Sequence, residues 1–188
     1  MKFEISTTEK KFLLDLARRT LQAHLTHRDI PRWQDTEALV RLSHVHTGAF
    51  VTLNQDGKLR GCIGFTASDD PLPAVIQEAA ISAAERDPRF PPVTAQKLPD
   101  LTIEISVLTQ PEMVPDIDLI ELGRHGLIVE KDWHRGLLLP QVPVEWGWSR
   151  EEFLGYTCEK AGLDKTAWQD SDTRIYWFEA IVFHEKSR

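Results

Sequence analysis

The segment LRGCIG (59–64) sets Arg60 and Cys62 two residues apart, with Gly61 between them and Gly64 close behind. Side chains alternate along a strand. Arg60 and Cys62 therefore take one face, and Leu59, Ile63 and Phe65 share the other with Gly61. A guanidinium beside a thiol favours the thiolate, the form that attacks electrophiles. The same guanidinium can grip a carboxylate or phosphate in a bidentate fork. Glycine in a strand marks a bulge or the close approach of another group. Two of them here would let a ligand reach the backbone. The competing reading is plain packing, since a free cysteine is commonly a small buried hydrophobe. The segment predicts Cys62 as a catalytic nucleophile, with Arg60, Gly61 and Gly64 in substrate binding.

Four further residues belong to this expectation. Arg89, in DPRFPPV (87–93), is either an anion anchor on a proline-stiffened loop or the partner of Asp87, tying the loop to the preceding helix. Glu104 falls on the polar face of a strand, as a general base or as a structural partner for Arg60 or Arg89. His125, in Gly123-Arg124-His125-Gly126, is either the base that activates Cys62 or a turn residue bonded to backbone. Gln141 follows Pro140 near a strand end, where a side chain can enter a cleft; Glu145, Trp146 and Trp148 wall that cleft or simply pack.

Other constellations carry less chemistry. Cys158 falls with Leu154 and Ala161 at helical spacing, a core stripe. His44 and His46 would share one strand face, yet no third ligand stands at zinc spacing, so no metal is expected. The Gly61/Gly64 spacing matches neither a P-loop nor a dinucleotide fingerprint, and no cofactor is expected.

The elements that must position these residues are readable in outline. Ser6 with Glu9 forms a capping box for a helix over 6–25. GAFVTLN (48–54) and LRGCIGF (59–65) form a hairpin around Asp56-Gly57. A two-residue turn there sets Leu53 beside Arg60, and a three-residue loop sets Thr52 there. Asp70 caps, and Pro71 opens, a helix running to Arg86. LTIEISVLT (101–109) alternates as a strand, with 110–122 as a connection between lobes. Strands at 126–132 and 135–142 enclose Trp133-His134, Ser149 with Glu152 caps a helix ending at Gly162, and 174–183 is a last strand. Helices interspersed with hairpins indicate an α+β fold, with a mostly antiparallel sheet and flanking helices.

With 188 residues the chain fits a single domain over 1–188, in one or two lobes. A net charge of −7 with scattered basic residues argues against nucleic acid. The start MKFEISTTEKKF holds no signal-type apolar run, and no segment reaches membrane-span length. Two cysteines in such a chain indicate reduced thiols and a cytoplasmic setting.

The motif Leu59-Arg60-Gly61-Cys62-Ile63-Gly64 resembles the hallmark of the AMMECR domain family. GAFVTL precedes it, and DPRFPPV, EISVL, GRHGLIV, GLLLPQV and KAGL follow in the family's order, so the likeness spans nearly the whole chain. The resemblance implies an α+β fold of two unequal lobes around a cleft, with the hallmark along that cleft. It implies a cytosolic protein of archaea or bacteria. It also implies association with a Memo-type protein and a radical S-adenosylmethionine enzyme, encoded beside or fused to relatives. It supplies no reaction. Three classes of function follow: an enzyme acting on a small anionic substrate through Cys62, a non-catalytic module binding a partner through Arg60, or a structural knot.

Overall fold

The computed structural model describes residues 4–33 and 40–186. Part of the stretch 26–46, which the sequence leaves unassigned, thus lies outside the described residues. The protein is α+β, and its chain divides into two compact units, one running to Leu108 and resuming at Ile181, the other spanning Thr109–Ala180.

In the first unit, helix α1 (Thr7–Leu25) opens on the predicted capping box, with the Ser6 and Glu9 side chains satisfying each other's backbone N–H. It buries Leu13, Leu16, Ala17 and Leu21, one apolar stripe at helical spacing. Strands β1 (Ala49–Gln55) and β2 (Lys58–Phe65) form the predicted hairpin, and β3 (Leu101–Leu108) pairs antiparallel on the other side of β1. Ala49, Val51 and Leu53 of β1 and Ile103, Ile105 and Val107 of β3 are fully buried. They face helix α2 (Leu72–Glu85), whose Leu72, Ile76, Ala79 and Ala80 are fully buried in the same core. Glu185 is held here: Arg18 donates to the Leu98 and Leu101 carbonyls and pairs with Glu185, whose carboxylate also accepts the Ile103 N–H.

Two local expectations are corrected. Asp70 does not cap α2. Pro71 takes the cap position without a side-chain bond, because the Leu72 N–H is satisfied by the Val45 carbonyl. His44 and His46 do not share a strand face. His44 ends a short 3₁₀ turn, and the His46 ring is bonded at the Asp69 carbonyl. Among the described residues no cluster of three or more His, Cys, Asp or Glu side chains could hold a metal. Among those residues, too, no helix is long and apolar enough to cross a membrane.

In the second unit, β4 (Glu112–Met113), β5 (His125–Lys131) and β6 (His134–Leu138) lead to a short helix α3 (Gln141–Trp146) and to α4 (Arg150–Lys160). Strand β7 (Arg174–His184) pairs with β4 and β5 through its first residues. Phe153 and Leu154 of α4 pack on Leu127 and Ile120. Cys158 packs on Val129 and Ala167, fully buried. Gly136 lets the end of α4 close on β6, since a Cβ there would lie 2.3 Å from the Ala161 nitrogen. The predicted strand 135–142 stops early at Leu138, and Gln141 begins a helix that the sequence reading missed. Leu139 and Pro140 end the ladder there, because proline has no N–H to donate.

Candidate functional site

The geometry around Cys62 is set by one irregularity. Asp56 and Gly57 both take left-handed backbone angles, φ 50° and 73°, and close a tight turn with Gln55 opposite Lys58. Asn54 then faces Leu59, but Leu53 faces Gly61. Arg60 is the extra residue of a β-bulge, so neither predicted register occurs: opposite Arg60 stands neither Leu53 nor Thr52. The bulge reverses the alternation beyond it. Leu59, expected in the core, leaves it and is 41% exposed. Gly61 faces the core, and Cys62 lies on the outer face, opposite Thr52.

Both glycines of the motif serve the packing. A Cβ on Gly61 would lie 2.1 Å from the Ala83 carbonyl oxygen, so this glycine admits the last turn of α2. A Cβ on Gly64 would lie 2.6 Å from Cγ of Phe50, whose ring lies across it. The space expected for a ligand at Gly61 and Gly64 is thus filled by the protein itself.

Strand β2 is an edge of its sheet, and the DPRFPPV loop runs beside it. The Cys62 N–H donates to Asp87 Oδ2 at 2.9 Å, and Arg89 Nη2 reaches the Cys62 carbonyl at 3.5 Å. An ion pair here supplies what a neighbouring strand would, and blunts the edge. Asp87 is buried and also accepts from Arg89 at N (3.1 Å), Nε (2.9 Å) and Nη2 (2.7 Å). Those bonds, the guanidinium foremost, hold its carboxyl well below the usual carboxylate range against the opposing effect of burial. Arg60 donates through Nη2 to the Pro91 carbonyl at 2.6 Å. Phe90 takes both guanidinium groups on its ring, with centroid distances of 5.7 Å to Arg60 and 5.5 Å to Arg89. The hallmark and the loop thus interlock residue by residue.

On the outer face the thiol is half-buried, and Thr52 Oγ1 donates to Cys62 Sγ at 3.2 Å. Thr52 is in turn opposite Glu104 on β3. Cys62, Thr52 and Glu104 therefore form one row across three strands. Thr52 as the thiol's partner escaped the sequence reading, because only the bulge brings it opposite Cys62.

The remaining candidates belong to the second unit. His125 belongs to the second unit and is buried, its Nδ1 accepting the Glu121 N–H at 3.0 Å and its ring 4.5 Å from that of Trp177. Gln141 is exposed at the start of α3. Trp146 and Trp148 stack at 6.3 Å, and Trp148 lies on Tyr156 at 4.1 Å, with Lys165 over the Tyr156 ring.

Comparison with known proteins places this arrangement. The AMMECR1 family model matches residues 14–183. A protein of Methanothermobacter thermautotrophicus is 46% identical over 188 residues, covering 96% of either chain. One from Thermococcus onnurineus is 47% identical, over 94% of this chain and 90% of its own. The crystal structure of an uncharacterized protein from Pyrococcus horikoshii superposes with a TM-score of 0.80 at 45% identity, over 98% of this chain and 95% of that one. Spanned almost end to end by the family model and by relatives at this level of identity, the chain belongs to the AMMECR1 family.

Proposed function

We propose that the protein binds a small anionic molecule over the outer face of the first unit's sheet and reacts with it through Cys62. The observation that carries this reading is the 3.2 Å hydrogen bond from Thr52 Oγ1 to a half-buried Sγ. A hydroxyl donated to the sulfur holds the thiol in one orientation on that outer face. Arg89, whose guanidinium reaches the Cys62 carbonyl, adds positive charge at the same place and keeps a side chain 54% exposed. Among the described residues Arg60 uses only Nη2 in a hydrogen bond, leaving Nε and Nη1 for an anion. In this reading Sγ adds to a carbonyl carbon of the bound molecule, the π electrons of that carbonyl pass to its oxygen, and the thiol proton leaves to solvent. The setting is a reducing cytosol, where Cys62 stays a thiol.

The test is alkylation by iodoacetamide in a Cys158→Ala background. Cys62 in the folded protein should react at least as fast as in the urea-unfolded chain. A thiol that reacts only on unfolding overturns the reading.

A second reading has its own observation. Large exposed apolar side chains are prominent in the second unit, with Trp133 86%, Trp146 71% and Val144 61% exposed. In that reading the chain is a non-catalytic module that docks on a Memo-type protein working with a radical S-adenosylmethionine enzyme. Sedimentation of the mixed proteins decides it: co-migration lost in Trp146→Ala, with Cys62→Ser silent, favours the module.

A further inference from the structure

The outer face of the β2–β1–β3 sheet presents three rows: Gly64–Phe50–Ser106, Cys62–Thr52–Glu104 and Leu59–Asn54–Thr102. Glu104 is the one charged residue among these nine. It is half-buried, and among the described residues its carboxylate has no hydrogen-bond or ion-pair partner. The guanidiniums that the sequence offered it are engaged elsewhere, Arg60 at Pro91 and Arg89 at Asp87. A partly desolvated carboxylate without a cation is unfavourable in the free protein and becomes favourable when a cation arrives. At the other end of the same row the charge is of opposite sign. Past Cys62 stand two guanidiniums, Arg60 and Arg89, against the single carboxylate of Asp87.

Resting on the reading of Cys62 as the reactive group, we infer that the ligand is an extended zwitterion of amino-acid to dipeptide size. Its anionic end lies toward Arg60 and Arg89, and its ammonium lies on Glu104. Its electrophilic carbon sits over Cys62, between the two. Cys62 and Glu104 are separated by two strand spacings, roughly 10 Å between backbones. That span suits a chain of about five or six atoms between the carbon attacked and the ammonium. Thr52, in the middle of the row, offers only a hydroxyl and a methyl group and leaves room for such a chain to cross. The charge order selects orientation as well as class, since a reversed ligand would set like charges together at both ends.

Two alkylating probes of equal length test this in the Cys158→Ala protein: aminobutyl chloroacetamide and its hydroxybutyl analogue. In both, the Cys62 Sγ–carbon bond forms as the C–Cl bond breaks, chloride leaves, and the thiol proton passes to solvent. They differ only in the distal charge. The folded protein should react about tenfold faster with the ammonium probe, and added salt should shrink that ratio. In Glu104→Gln the ratio should fall to about one, and in Glu104→Lys it should invert. Because each variant is read as a ratio of two rates on the same thiol, a change in stability does not imitate the effect. A ratio near one in the parent protein with a reactive Cys62 overturns the zwitterion and leaves the thiol reading standing. A Cys62 inert to both probes until unfolding overturns the two together.

Discussion

The carboxylate of Asp87 accepts the backbone N–H of Cys62 at 2.9 Å, and the guanidinium paired with that carboxylate reaches the same residue's carbonyl. Two side chains from a loop thereby complete the hydrogen bonding of an edge strand at the residue that carries the thiol. The strand cannot slide there, and the orientation of Cys62 is fixed from its backbone outward.

Asp87→Asn should cost about 2 kcal/mol in urea unfolding, since a buried charged acceptor of bonds from Cys62 and Arg89 becomes a neutral amide. The acid dependence should change with it. A carboxyl held below its ordinary range stabilises the fold fully above the unfolded-state value near 4 and loses that contribution as pH falls through the lowered one. Asp87 is so held, first by its Arg89 hydrogen bond, and Glu9 is held down to about 2, first by Arg41. The melting temperature should therefore fall as pH drops from about 4 toward 2. The fall should be shallower in Asp87→Asn.

Gly61→Ala should destabilise by about 3 kcal/mol, since the new methyl would meet the Ala83 carbonyl and α2 would have to move off the sheet. Gly57→Ala meets nothing within 4 Å but sits at φ 73°, so its cost should be only about 1 kcal/mol, from backbone strain alone. Equal costs at the two positions would show that Gly61 is not a packing glycine.

Arg60→Ala removes the strap to Pro91 and one of the two cations on Phe90. The expected loss is about 1 kcal/mol, with faster proteolytic cleavage within 87–93 than in the parent protein. Unchanged cleavage would mean that Asp87 and Arg89 hold the loop alone.

Thr52→Val keeps the shape beside Cys62 and deletes the hydroxyl. Alkylation of Cys62 should slow about threefold as the thiol loses the hydrogen bond that orients it, with little change in melting temperature. Cys158 should stay unlabelled in the folded protein, because it is fully buried and burial pushes its thiol up in pKa. Labelling of both thiols at one rate would count against the local effect of Thr52.

Much of the fold is legible because its signals are local. The Ser6/Glu9 and Ser149/Glu152 capping boxes name two helix starts, and Asp56-Gly57 names the hairpin turn. Alternation from Leu101 to Val107 places β3's apolar face correctly. Helix α3 is not legible, because Pro140 and Pro143 interrupt a six-residue stretch too short to carry a helical period. Asp87 with Arg89 was visible as a pair in the sequence, but its grip on Cys62 was not, since the two lie 25 positions apart.

The sequence alone determined the chemistry at hand: a thiol, two arginines and a carboxylate, in segments whose local patterns already specified strand, turn and loop. Only the tertiary structure decided which of these groups meet. One extra residue at Arg60 shifts the pairing of β1 with β2, sending Leu59 outward and setting Cys62 beside Thr52. A strand's side chains alternate with a period of two, so a single inserted residue exchanges its faces. Neither the turn nor the residues flanking it encode that insertion. It becomes favourable when Gly61 lies under the end of α2, a contact between segments more than twenty residues apart.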